Sequence, residues 1–291
     1  MISIIITAYK EEKTIEKTIN SIENQKFEKH ETIVIAPDNG TLKVARKLKK
    51  TYLNLRVIKD LGEGKPSALN LAVSKSKGNI LILTDGDVYL GKNSISQLIK
   101  PFKDPKIGAV TGRPISEDSK NNLFGFWGHI LSDTAHERRM KAKKNQKRFF
   151  CSGYLFAIRK KLFPNLKEGL LSEDGYISHK VYAQGYKIGY SPESIVYIKY
   201  PTHFKDWINQ KKRSAGRYNQ IKKMEGIEIR SFKKESLGGF KLLKYPRNLR
   251  EFVYLFKLFI ARTYLWYVIY RDINMKKKTH KELWVRIEST K

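Results

Sequence analysis

The sequence predicts an α/β fold on a mostly parallel sheet flanked by helices, extended at its C-terminal end by an amphipathic helix. Three observations lead there. Short β-branched runs alternate with amphipathic stretches over residues 1–90, turns bearing acids or glycines follow the runs, and an aromatic-rich apolar stretch fills residues 252–270.

The elements follow in order. Ile2-Ser3-Ile4-Ile5-Ile6-Thr7 has the pattern of a strand covered on both faces. It lacks a basic leader, so it reads as a buried strand and not as a signal segment. Residues 11–25 read as a helix, with Ile15, Ile19 and Ile22 at helical spacing. A second strand covers 32–36 and stops at the turn cluster Pro37-Asp38-Asn39-Gly40. A basic helix over 41–50, a strand near 55–58, a helix over 66–76 and a strand over 79–84 complete the first half. In such sheets ligands bind at the carboxyl ends of the strands, here Thr7-Ala8-Tyr9, Pro37-Asp38 and Asp85-Gly86-Asp87. Beyond them, residues 121–146 read as a helix, 149–158 as a strand, 173–184 as a helix capped by Gly185, 195–200 as a strand, and a helix begins near Phe204.

The chain of 291 residues carries 58 Lys and Arg against 28 Asp and Glu, a net +30. That excludes a cationic partner surface and favours polyanions: nucleic acid, anionic lipid or phosphorylated small molecules. Residues 201–291 hold 23 basic and 8 acidic side chains, half of the net charge. A general bias toward surface lysine is the plainer origin of the rest. Cys151 is the only cysteine, so no intrachain disulfide forms and a reducing cytosol is the simplest compartment. It reads as a buried strand residue.

Asp85-Gly86-Asp87 places two carboxylates one residue apart at a strand end, where together they reach a divalent cation. Taken alone, Asp-Gly is more often a turn. Gly62-Glu63-Gly64-Lys65-Pro66 opens a helix, its glycines allowing close backbone approach and Lys65 supplying a charge for phosphate, at a spacing that excludes a P-loop. Glu173-Asp174 by itself is an acidic helix start. His129 and His203 are lone histidines, read as ordinary hydrogen-bonded residues ahead of metal ligands.

In combination these pieces resemble glycosyltransferase family 2. The ordered set is Thr7-Ala8-Tyr9-Lys10-Glu11, Asp38, Gly64 to Asn70, Asp85-Gly86-Asp87, Ser152 to Lys160, Ser172-Glu173-Asp174-Gly175 and Gln210-Lys211-Lys212-Arg213-Ser214, spanning about residues 1–220. The resemblance implies a GT-A, Rossmann-like catalytic domain over 1–220. Its nucleotide-sugar half would be 1–90 and its acceptor half 91–220, followed by a basic helical extension over 221–291 that associates with membrane or with a second copy. It implies an inverting hexosyl- or N-acetylhexosaminyl-transferase. Asp85 and Asp87 would hold Mg²⁺ or Mn²⁺, with Asp87 the more direct ligand. Thr7, Ala8, Tyr9, Glu11, Asp38, Lys65, Asp85, Gly86, Gln210, Arg213 and Arg217 would bind the donor, with UDP ahead of GDP as its nucleotide. Gly153 and Glu173 would meet the acceptor, and Asp174 would be the general base. The second strand lacks the family's paired aspartates. Ser214 stands where the Gln-x-x-Arg-Trp motif of polysaccharide synthases has tryptophan, with Trp207 and Tyr218 the nearby aromatics. A polyprenyl- or dolichyl-phosphate glycosyl synthase is the second reading.

The stretch 252–270 is nearly long enough to span a bilayer, but Lys257 and Arg262 each cost about 2.5–3.5 kcal/mol near the centre of a span. At helical spacing Arg250, Lys257, Ala261, Tyr264 and Arg271 share one side, so the helix reads as lying in an anionic membrane interface. That puts the chain peripherally at the cytoplasmic face, with a lipid-linked glycan or polysaccharide as acceptor. The alternative for this helix is packing on protein. A nucleic-acid-binding protein is the alternative of another class, but Asp38, Asp85, Asp87 and Asp174 all fall at strand or helix ends, where a groove for polyanions would avoid them.

Overall fold

A computed structural model of the chain describes residues 1–27, 29–170, 172–213, 240–275 and 287–290. It contains β1 (Ile2–Thr7), α1 (Ile15–Glu23), β2 (His30–Ala36), α2 (Asn39–Leu48), β3 (Leu55–Lys59), α3 (Lys65–Lys75), β4 (Ile80–Asp85), β5 (Tyr89–Leu90), α4 (Ser94–Ile99), β6 (Ile107–Ser116), α5 (Leu123–Lys144), β7 (Leu155–Arg159), α6 (Glu173–Ala183) and β8 (Lys187–Ile198). A helix α7, described over 204–213, and α8 (Leu249–Tyr270) follow.

One eight-stranded sheet runs in the order β3-β2-β1-β4-β7-β6-β8-β5. The β3-β2-β1-β4 half is parallel, as is the β6-β8 pair. β7 runs against both β4 and β6. This reversal positions the site: β1, β2 and β4 end on one edge of the sheet, and β7 begins there. The segment before β7 is therefore brought beside Asp85 rather than to the far edge.

Alternation along β1 divides the core. Ile4 and Ile6 pack on one face with Ile15, Ile19 and Ile22 of α1. Ile5 packs on the other face with Ala68, Leu69 and Ala72 of α3 and with Tyr176 and Ile177 of α6. Truncating such a residue costs about 2–5 kcal/mol. A third cluster joins Phe126, Trp127 and Ile130 of α5 to Trp207 and Ile208 of α7 and to Leu255, Leu258, Ala261 and Leu265 of α8.

Several expectations are corrected. The helix expected over 11–25 starts at Ile15, because the Glu11 backbone N–H donates to Thr41 Oγ1 and Lys10 has a left-handed φ of 55°. The strand expected over 149–158 starts only at Leu155. The backbone N–H groups of Cys151, Ser152 and Gly153 donate to Ser178 Oγ, Thr111 Oγ1 and Asp174 Oδ2 rather than to neighbouring strands. Cys151 is buried as expected, but in this non-strand segment. The last strand begins at Lys187, well before residue 195. β5, α4 and β6 had no counterpart in the sequence reading. Gly185 does follow α6 with a positive φ of 81°.

The C-terminal helix also differs in its faces. Ala261 is buried and Tyr264 exposed, so the side shared by Arg250, Lys257, Ala261 and Tyr264 is the seam between a face packed on protein and an outward face. The outward face carries Phe252, Phe256, Ile260 and Tyr267.

Candidate active site

The site is built from the parallel strand ends. Thr7 closes β1 and pairs in register with Asp85, the last residue of β4. Thr7 Oγ1 donates to Asp85 Oδ1 at 3.2 Å, and the Gly86 N–H donates to Thr7 O at 2.9 Å. The turn after β4 lies so close to β1 that a Cβ on Gly86 would come within 2.7 Å of Ala8 Cβ. Glycine is thus required between the two aspartates, and its backbone fixes their approach.

Lys65 opens α3 and reaches across the sheet edge. Its Nζ stands 2.6 Å from Asp85 Oδ1 and 2.9 Å from Glu173 Oε1 at the start of α6. Burial alone would pull the ammonium's pKa down, but the two carboxylates overcome this and hold it well above its ordinary value. Burial, reinforced by Asp87, pushes the Asp85 carboxyl up, and Lys65 opposes the rise. Glu173, expected at the acceptor, is buried and turned onto Lys65.

Asp174 is held on three sides. Its Oδ2 accepts from the Gly153 N–H at 3.0 Å, and its Oδ1 accepts from Ser172 Oγ at 2.8 Å and from the Gly175 N–H at 2.9 Å. A Cβ at Gly153 would lie 3.3 Å from Asp174 Oδ2, so a side chain there would crowd the carboxylate. Thr84 Oγ1 donates to Tyr154 O at 2.7 Å, tying β4 to the same loop. The carboxylate is thus oriented on the sheet edge that carries Asp85.

A second group stands at the ends of β1 and β2. Asp38 caps α2, accepting from the Thr41 N–H, from Thr41 Oγ1 and from the Lys10 N–H. Burial would raise its carboxyl, but these donors hold it below the ordinary range. Thr14 Oγ1 lies 2.9 Å from both Glu11 Oε2 and Gly86 O, linking this group to the Asp85-Gly86-Asp87 turn. Tyr9 is exposed beside it and Glu11 is buried.

Gln210 and Arg213 lie on α7, which is anchored on α5 and α8. Lys212 Nζ pairs with the buried Asp272 at 2.5 Å, and Arg271 Nη2 pairs with the same residue at 3.0 Å. Arg217, Ser214 and Tyr218 lie outside the described residues. Trp207 is fully buried against Trp127, with ring centroids 5.1 Å apart, so it is a core residue and does not replace the motif's tryptophan. His129 Nε2 is 2.6 Å from Asp118 O, and His203 Nδ1 is 3.1 Å from Thr202 Oγ1.

Ser172 lies inside the Ser172-Glu173-Asp174-Gly175 segment but has no role of its own legible in the sequence, and Thr84 and Thr14 carry none there either. Each is a hydroxyl within a few residues of a motif carboxylate or facing a motif glycine. Proximity to a motif was the available signal for Ser172 and Thr84, whereas Thr14 meets Gly86 only through the fold.

Among the described residues no three His, Cys, Asp or Glu side chains gather as a metal cage. Asp85 and Asp87 are oxygen donors of the kind a hard cation takes, while Asp85 Oδ1 already accepts from Lys65 Nζ at 2.6 Å and from Thr7 Oγ1 at 3.2 Å.

The family model for glycosyl transferase family 2 matches residues 3–166. Poly-beta-1,6-N-acetyl-D-glucosamine synthase of Staphylococcus aureus (strain COL) is 26% identical over 213 residues, covering 69% of this chain and 50% of that protein. Probable glycosyltransferase YdaM of Bacillus subtilis is 28% identical over 230 residues, covering 74% and 54%. The chain thus spans about half the length of the curated relatives it matches. Among solved structures, mannosyltransferase PcManGT from Pyrobaculum calidifontis, in complex with GDP-Man and Mn²⁺, superposes with a TM-score of 0.62 at 20% identity, covering 91% of this chain and 69% of that one. S. aureus TarS 1-349 in complex with UDP-GlcNAc gives 0.51 at 18% identity, covering 75% and 66%. At these identities the structures establish the GT-A fold.

Proposed function

The chain belongs to glycosyl transferase family 2, and on that footing we propose that it moves an N-acetylhexosamine or hexose, with inversion, from a UDP-sugar to a hydroxyl of a lipid-linked glycan or polysaccharide at the cytoplasmic membrane face. The observation that carries this reading is the convergence on one sheet edge of Asp85, Lys65 and Glu173 with the anchored Asp174. The similarity to a synthase of an N-acetylglucosamine polymer favours an N-acetylhexosamine over other sugars.

A Mg²⁺ or Mn²⁺ ion held by Asp85 and Asp87 would neutralise the donor diphosphate and ease departure of the nucleotide. Lys65 supplies a second positive charge there, as a point charge on a phosphate oxygen. Tyr9, Glu11 and Asp38 line the nucleoside end. Asp38 gives each carboxylate oxygen to the protein, so its part is to fix the Lys10–Thr41 corner as well as to meet ribose.

Asp174 takes the proton of the acceptor hydroxyl as that oxygen attacks the anomeric carbon from the side opposite the leaving diphosphate. The C–O bond to the acceptor forms as the bond to the nucleotide breaks, which inverts the anomeric configuration. Ser172, Gly153 and Gly175 hold the carboxylate in one orientation, so little reordering is left for the reaction. A positioned base of this kind contributes about 10²–10⁴ in rate.

The test is a panel of UDP- and GDP-sugars followed by nucleotide release, with NMR of the product's anomeric configuration. UDP-N-acetylhexosamines turning over fastest, with inversion, support the reading. Turnover of no nucleotide sugar, together with tight binding of single-stranded nucleic acid, rejects it.

A further inference from the structure

We propose that the outward face of α8 is a docking surface for an anionic bilayer, and that α8 lies flat on that surface rather than crossing it. This deepens the membrane reading above by assigning the face and its orientation.

A 22-residue helix is about 33 Å long, enough to span the hydrocarbon core. Its inner face, however, is already occupied. Leu255, Leu258, Ala261 and Leu265 are buried against α5 and α7. Trp127 Nε1 donates to Tyr254 O at 2.8 Å, and the buried Asp272 just beyond the helix binds Lys212 of α7. Spanning would strip this whole face from the catalytic domain. Lying in the interface leaves it intact.

The outward face is apolar apart from Thr263, whose hydroxyl donates to Phe259 O. Leu249, Phe252, Phe256, Ile260, Tyr267 and Tyr270 are all exposed, Phe256 to 64%. At 100° per residue they form a stripe opposite Leu258 and Leu265. A soluble helix would carry charges there. Instead Arg250 and Lys257 stand along one border, while Arg262 lies farther round, past Phe259 and Trp266 toward the packed face. The helix's only carboxylate, Glu251, accepts from the Arg247 N–H at the N-terminal end. Tyrosines fill the last two turns, suited to a headgroup zone where one end of the ring is wet.

Charge chooses the occupant. A second copy would bring two cationic borders together on a chain of net +30, whereas anionic headgroups complement them. Because Asp272 also holds Lys212, the helix bearing Gln210 and Arg213 is fixed to the docked element.

The experiment is sedimentation of the whole chain with phosphatidylglycerol-rich and with pure phosphatidylcholine vesicles. It compares wild type with Phe256→Asp/Ile260→Asp and with the control Leu53→Asp, which alters an exposed leucine of the α2–β3 loop. Wild type and control are expected to bind the anionic vesicles, and the double variant to bind at least about tenfold more weakly, since burial of either side chain is worth about that factor. Phe256→Ser reports on the same face if the double variant does not fold. Donor turnover in vesicle-free buffer should match wild type in all of them. Lost vesicle binding with turnover kept leaves the enzyme reading standing, and the converse leaves the docking standing. Equal vesicle binding by all forms, no binding by wild type, or a wild-type dimer that the double variant splits without any vesicle binding would each overturn the proposal.

Discussion

Lys65 Nζ stands 2.6 Å from Asp85 Oδ1 and also reaches Glu173, joining the end of β4 to the start of α6 across 88 residues of sequence. Substituting Lys65→Met removes the cation that bridges these two carboxylates. Nucleotide-sugar affinity should fall by about tenfold or more, since a charge-assisted contact to phosphate is worth about 1.5–3 kcal/mol. Isothermal titration with UDP against wild type reads this directly. Unchanged affinity would remove Lys65 from the donor site.

Asp174→Asn keeps the oxygen that the Gly153 N–H contacts and loses the proton acceptor. Transfer should slow by about 10²–10⁴ while UDP-sugar affinity stays within a few-fold. Single-turnover transfer alongside equilibrium binding separates the two. Parallel losses in both would point to a structural role.

Gly86→Ala should destabilise by about 1–3 kcal/mol, because the added methyl meets Ala8 Cβ at 2.7 Å and Ile15 Cδ1 at 3.3 Å. It should also reduce turnover by moving Asp85 and Asp87. Thermal melting and nucleotide release are the measurements. A variant as stable and active as wild type would show that the turn yields freely.

Glu31 links β2 to β1 and β3. Burial would raise its carboxyl, but Ser3 Oγ, the Lys77 N–H and Arg56 hold it below the ordinary range. A carboxyl depressed in the folded state stabilises the protein above its unfolded pKa of about 4.3, and that contribution is lost as pH falls through the folded value. Glu31→Gln should therefore cost about 1–3 kcal/mol at neutral pH and flatten the acid limb of the stability curve. Urea titrations at several pH values check this; an acid limb unchanged by the substitution would contradict it.

The elements of residues 1–90 were legible in the sequence, and those of the rest less completely. β1, β2 and β4 are runs of contiguous apolar residues, so their period is local and their ends expose Thr7, Asp38 and Asp85-Gly86-Asp87. β6 was hidden because Gly108, Gly112 and Pro114 interrupt its pattern, and its pairing partners, β7 and β8, are distant in sequence. Glu173 was recognised as a motif residue, but its turn toward Lys65 depends on β7 reversing direction in the sheet. The C-terminal helix was legible as apolar and aromatic. Its division into a packed and an outward face was not, because both faces carry large apolar side chains and only α5 and α7 decide between them.

A carboxylate-built site that handles a nucleoside diphosphate sugar is open to direct test. The most direct measurement is UDP release from UDP-N-acetylglucosamine by the whole chain with and without Mn²⁺, for wild type and Asp87→Ala. Wild type should release UDP slowly and only with Mn²⁺, and the variant should lose about 10²-fold or more, the scale of removing a group that stabilises leaving-group charge. Release that ignores both Mn²⁺ and the Asp87 substitution would contradict it.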